Sequence, residues 1–142
     1  YKNAKFRIVL SHITTQVNEG PMSQDVRSIA EPLLNESIHL WIGAHCHRYW
    51  RMFRGSNELF SREKAPANFY QKTAPFNWIT LDGPKGNQNP PDLSYVHVSV
   101  ENDTLTAKVI DPDGSIVDHF TIDKDGNATE IKRDAAVKST KL

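Results

Sequence analysis

Phe6-Arg7-Ile8-Val9-Leu10-Ser11-His12 and, further along, Ile38-His39-Leu40-Trp41-Ile42-Gly43 are the two stretches on which the reading of this chain turns. The first is a short apolar, β-branched run that stops at a polar pair, the pattern of a strand buried on both faces that opens into a loop. The second is a similar run, short enough for a strand and closed by a glycine. Between them Ser23 is placed to cap a helix over 23–34, where Val26, Ile29, Ala30, Leu33 and Leu34 share one face and Pro32 is expected to cause a kink. Strand, helix, strand predicts a right-handed βαβ unit with parallel strands, so that both carboxyl ends reach one edge of a sheet. His12 and the segment Ala44-His45-Cys46-His47 then meet there.

The rest of the chain has a different rhythm. Residues 49–53 are aromatic and extended, 55–72 read as a long polar excursion over the surface, and 76–81 read as another strand. The run 82–91, dense in Gly, Pro and Asn, is a loop. Three alternating stretches, 95–100, 105–110 and 116–122, are separated by Glu101-Asn102-Asp103 and Asp111-Pro112-Asp113-Gly114 and predict an antiparallel meander. The tail from Lys124 reads as frayed or weakly helical. The fold class expected is therefore α/β, an α+β fragment with one βαβ unit followed by an antiparallel β meander.

Composition narrows the function. With 142 residues a single domain is expected over 1–142, and 17 basic against 17 acidic side chains leave no net charge. No field draws the chain to nucleic acid or to an anionic membrane surface. No run is long and apolar enough to span a bilayer. A lone cysteine, Cys46, excludes an internal disulfide and a multi-cysteine zinc ribbon. With no initiator Met and a strand so close to the start, the sequence is expected to be a mature or clipped piece of something longer.

Of six histidines, His12, His45 and His47 are expected at the carboxyl edge of the parallel strands, where open sheets bind ligands. In extended backbone, residues i and i+2 point the same way, so His45 and His47 are expected to face one ion or two adjacent ions, with Cys46 opposite. Imidazole suits divalent transition metals. His39, His97 and His119 fall within strands and read as packed or solvated, and Tyr49 and Trp50 read as core. Asp123-Lys124-Asp125-Gly126-Asn127 opens like a calcium loop, but its glycine comes too early and no glutamate closes it, so it reads as a turn. Asn35, Asn102 and Asn127 head glycosylation acceptor patterns that matter only in a eukaryotic secretory protein.

Ile42-Gly43-Ala44-His45-Cys46-His47-Arg48-Tyr49 resembles the last metal-binding motif of the calcineurin-like metallophosphoesterases, the family that includes purple acid phosphatases, whose usual form is Gly-His-X-His after a hydrophobic strand. Ile8-Val9-Leu10-Ser11-His12-Ile13 resembles the preceding motif of the same family, a lone histidine ending a hydrophobic strand. The resemblance covers about the first fifty residues; Ala44 stands where the motif has glycine. The family's earlier motifs, Asp-X-His, Gly-Asp-X-X-Asp and Gly-Asn-His-Asp/Glu, are not in the chain.

The resemblance implies the carboxyl part of an αββα sandwich, a carboxyl-terminal segment of a larger phosphoesterase domain. It implies metal-assisted hydrolysis of a phosphoester by two divalent or trivalent ions, with Fe, Zn or Mn as candidates, and an enzyme incomplete and inactive as this fragment alone. Its partners would be a phosphoester substrate and the upstream part of the same protein, and a secreted or periplasmic location is favoured. Carried over, His12 and His45 would bind one ion and His47 the other. Arg48 becomes a candidate for a phosphate oxygen, since its guanidinium can bind bidentately. The alternative is a non-catalytic, β-rich binding or accessory module in which the meander does the binding and the histidines are incidental.

Overall fold

The structure is a computed structural model and describes residues 3–13, 28, 38–62, 73–83 and 93–142. Its strands are β1 (Ile8–Ile13), β2 (Leu40–Ala44), β3 (Trp50–Met52), β4 (Glu58–Ser61), β5 (Trp78–Thr80), β6 (Tyr95–Glu101), β7 (Thr104–Ile110), β8 (Ile116–Asp123), β9 (Ala128–Arg133) and β10 (Lys138–Lys141). They form a six-stranded sheet, ordered β1-β2-β5-β3-β4-β10, and a four-stranded sheet, ordered β6-β7-β8-β9.

This corrects the expected fold class. Strand accounts for 54% of the described residues and helix for 1%, so the described residues form a two-sheet β structure and show no α/β architecture with a βαβ unit. Among the described residues Ser28 alone is helical, and none forms a helix long and apolar enough to cross a membrane. The expected helix over 23–34 otherwise lies outside the described residues, as do Asn35, most of the 82–91 loop and 63–72 of the polar excursion.

Two segments explain why the β content exceeds the expectation. The tail from Lys124 is not frayed or helical: it supplies β9, paired antiparallel to β8, and β10, paired antiparallel to β4. Every residue of β10 and most of β9 are exposed, so no apolar alternation marks them; main-chain pairing to a formed edge makes them strands. Likewise β4 lies inside the stretch read as a polar excursion, with only Leu59 as a fully buried apolar anchor.

The larger sheet is mixed. β1 pairs parallel with β2, and β5 pairs parallel with β2 on its other side, whereas β3 runs antiparallel to β5. β2 is an inner strand, between β1 and β5, and its two faces serve two cores, as the continuous apolar run Leu40-Trp41-Ile42 requires. Leu40 and Ile42 join Tyr49, Ile79, Leu105, Val109, Phe120 and Ile122 between the sheets. Trp41 joins Trp50, Met52, Leu59, Phe76 and Trp78 on the far face. β1, by contrast, is an edge strand rather than one buried on both faces: Ile8 and Leu10 are exposed, Leu10 to 74%, while Val9 packs on the far core.

The smaller sheet is the antiparallel meander β6-β7-β8, extended by β9. Its inward residues Leu105, Ala107, Val109, Phe120 and Ile122 are fully buried. The β8–β9 connection is the turn that the early glycine implied. The Asp123 carboxylate accepts from the N–H groups of Asp125 and Asn127 and from Asn127 Nδ2, and those bonds hold its carboxyl below the usual range. Gly126, with φ +82°, takes a left-handed conformation that strains any side chain, and the Arg54 guanidinium lies where a Cβ would be. Arg54 donates to the Asp125 carbonyl, Asn77 Nδ2 to the Gly126 carbonyl and His39 Nε2 to the Lys124 carbonyl, which ties this turn to the larger sheet.

Candidate metal centre

Parallel pairing brings the carboxyl ends of β1, β2 and β5 to one rim, and three histidines are delivered along it. The first is placed by a bulge. The register runs Leu10↔Ile42 and then Ile13↔Ala44, so β1 carries one more residue than β2 at its end. An extra residue bends a strand and re-aims its side chains. Ser11 holds the bulge, its hydroxyl donating to the Ile13 carbonyl at 2.7 Å and accepting from Trp41 Nε1 at 2.7 Å. His12 is thereby left exposed on the opposite side of the strand.

The second and third histidines follow β2. The Cys46 N–H donates to the Ala44 carbonyl at 2.7 Å, closing a three-residue turn on His45, whose φ is 66°. That φ belongs to the rare γ-turn form, and His47 is also left-handed at φ 52°. Non-glycine residues held there cost on the order of 1–2 kcal/mol each, and such strain gathers at functional sites. The backbone is therefore not extended, and the expectation that His45 and His47 point the same way is corrected: the turn separates them.

His12 and His45 meet. His45 Nδ1 lies 3.1 Å from His12 Nε2, and the rings stand edge to face at 79° with centroids 5.0 Å apart. Beside them is a depression of about 300 Å³ lined by Leu10, His12, Ile42, Gly43, Ala44 and Leu81. His47 goes elsewhere on the rim, against Gly83, which follows β5, the neighbour of β2 on the side away from β1. Among the described residues no three His, Cys, Asp or Glu side chains come close enough together to hold one ion.

One ring N–H is placed to donate to the other ring's nitrogen, and the same separation suits two nitrogens on one ion. Two nitrogens each bound at ~2.0–2.1 Å, with an angle of roughly 90–110° between them, stand about 2.8–3.4 Å apart, and the observed separation falls inside that range. A pair of imidazoles is not a complete ligand set, so further donors are needed.

Of the other expected residues, Arg48 lies over the Trp50 ring, its guanidinium carbon 5.9 Å from the centroid. Cys46 packs against the far core as a small apolar group. Tyr49 and Trp50 are buried, as read from the sequence, and anchor the end of the histidine loop. Tyr49 donates to Asp118 Oδ2 at 2.5 Å, and Arg51 Nε donates to the same oxygen at 2.6 Å. Burial, then the Asp118 charge, hold the Tyr49 hydroxyl well above its usual range. Burial also lifts the Asp118 carboxyl, against the lowering pull of Arg51 and Tyr49. The Arg51 guanidinium lies against both the Phe53 and Phe60 rings, 4.1 and 4.2 Å from their centroids, and its Nη2 reaches Glu130 at 2.6 Å. This cluster joins β3 to β8 and β9 across the two sheets, directly after the histidine loop.

Ser11, Asp82, Gly83 and Arg62 were not singled out by the sequence, although all four shape the rim. Only Ser11 had a local signal, its place between an apolar run and a histidine. A scan against protein-family models, a search of curated proteins and a search of solved structures each find no match to this chain.

Proposed function

We propose that this chain carries the histidine side of a metal-dependent phosphohydrolase site that works with two ions. The observation that carries the reading is the 3.1 Å approach of His12 Nε2 to His45 Nδ1 at the carboxyl rim of parallel strands. His12 and His45 would hold one ion and His47, set apart along the rim, the other. When bound, such ions lower the pKa of a coordinated water and stabilise charge on the phosphoryl oxygens.

The chain's own groups have narrower tasks. Ser11 fixes the bulge that presents His12, and the left-handed turn at His45 aims the second imidazole at the first. Arg48, seated on Trp50, is the group proposed to bind a phosphoryl oxygen at the end of the histidine loop. Three imidazoles do not complete two coordination spheres; the remaining oxygen donors would come from outside the described residues, and the family resemblance implies that a longer polypeptide supplies them.

The test is Zn²⁺ and Mn²⁺ titration of the chain by calorimetry, alongside hydrolysis of a chromogenic phosphoester by the longer polypeptide. The reading expects His12→Ala and His45→Ala each to abolish metal binding in the chain and turnover in the longer protein. Metal binding and turnover that survive His45→Ala would refute it and favour the accessory β module.

A further inference from the structure

We infer that Gly83, held by an Arg62–Asp82 clamp, is the positioning element that seats the His47 imidazole; this rests on the reading of His47 as a metal ligand. The glycine is needed for space and not for backbone conformation. Gly55 and Gly114 have φ of +74° and +87° with nothing near a would-be Cβ, so their turns demand glycine. Gly83 has no such φ, yet a Cβ there would lie 2.7 Å from His47 Nδ1 and 3.5 Å from Cε1. The ring rests on the bare Cα.

The two residues that lead into Gly83 are held by three sets of bonds. Leu81 N–H donates to the Gly43 carbonyl at 3.2 Å, which continues the β2–β5 pairing past its last residues. Asp82 N–H donates to Ser94 Oγ at 3.2 Å. The Asp82 carboxylate, only 3% exposed, takes Arg62 Nη1 at 3.2 Å while Arg62 Nη2 holds Asp111 at 2.6 Å. His47 is exposed and sits on strained backbone, so without a seat its ring would sample several rotamers. Groups that orient a metal-binding imidazole set its affinity even though they never touch the metal.

The experiment follows the histidine ring resonances of the chain by ¹⁵N NMR without metal and during titration with Zn²⁺ alone, His47→Ala supplying the assignment. Gly83→Ala is expected to move the His47 ring resonances, to leave those of His12 and His45 in place, and to weaken the Zn²⁺ response of His47 about 10–100-fold. Arg62→Gln is expected to move the same resonances by a smaller amount, and it decides the matter if Gly83→Ala does not fold. His47 resonances unmoved by Gly83→Ala, or by Arg62→Gln where that variant decides, would overturn the seat. A wild-type protein whose histidines ignore Zn²⁺ would sink the metal reading instead, while the metal-free spectra still judge the seat.

Discussion

His12 Nε2 and His45 Nδ1 lie 3.1 Å apart across 33 positions of sequence, at the ends of two parallel strands that share a bulge. The two rings hydrogen-bond to each other and meet edge to face. Backbone brings them within reach: the Ser11-locked bulge on one side and the left-handed turn on the other.

The cost of that turn is measurable. His45→Gly and His45→Ala both remove the imidazole, but only glycine tolerates φ 66° without strain. The glycine variant is expected to be more stable than the alanine variant by about 1–2 kcal/mol in urea unfolding. Equal stability would show that the turn is relaxed.

Ser11→Ala tests the bulge. It removes the acceptor of Trp41 Nε1 and the hydroxyl that holds the Ile13 carbonyl. An unpaired, largely buried indole N–H is expected to cost about 1–3 kcal/mol in urea unfolding, with a weaker Zn²⁺ response of His12 as the second reading. Ser11→Thr, which keeps the hydroxyl, should recover part of both.

Arg51 and Asp118 are both fully buried and ion-paired. Arg51→Ala leaves the carboxylate without its cation and is expected to cost about 3–5 kcal/mol. The double variant Arg51→Met, Asp118→Leu removes both charges and is expected to recover most of that loss, read as the urea midpoint. A double variant as unstable as Arg51→Ala would mean that the pair itself stabilises the sandwich.

Tyr49 gives an alkaline signature. Its hydroxyl is held well above the ordinary tyrosine value of about 10, so the folded chain keeps a proton that the unfolded chain releases. That contribution is fully present below pH 10 and is lost as pH rises from there toward the folded value, by at most ~1.4 kcal/mol per pH unit. Tyr49→Phe is expected to lie below wild type at neutral pH, because Asp118 loses a donor, and to show a shallower decline above pH 10. Parallel wild-type and Tyr49→Phe curves of stability against pH would contradict the assignment.

The sequence by itself determined the runs with a strong local pattern. The apolar stretches at β1 and β2, the alternation of β6, β7 and β8, and the turn at Asp123 to Asn127 each carry their own periodicity or turn chemistry, and their neighbours in space only confirm it. It also pointed to His12, His45 and His47, since a histidine that ends an apolar run must sit at a sheet rim. Tertiary structure decided the rest. β9 and β10 have almost no buried residue and become strands through pairing with β8 and β4. The left-handed turns at His45 and His47, the extra residue at Ser11 and His12, and the bare Cα under His47 depend on neighbours distant in sequence. Backbone pairing and steric room are properties of folded surfaces, and no window of a few residues encodes them.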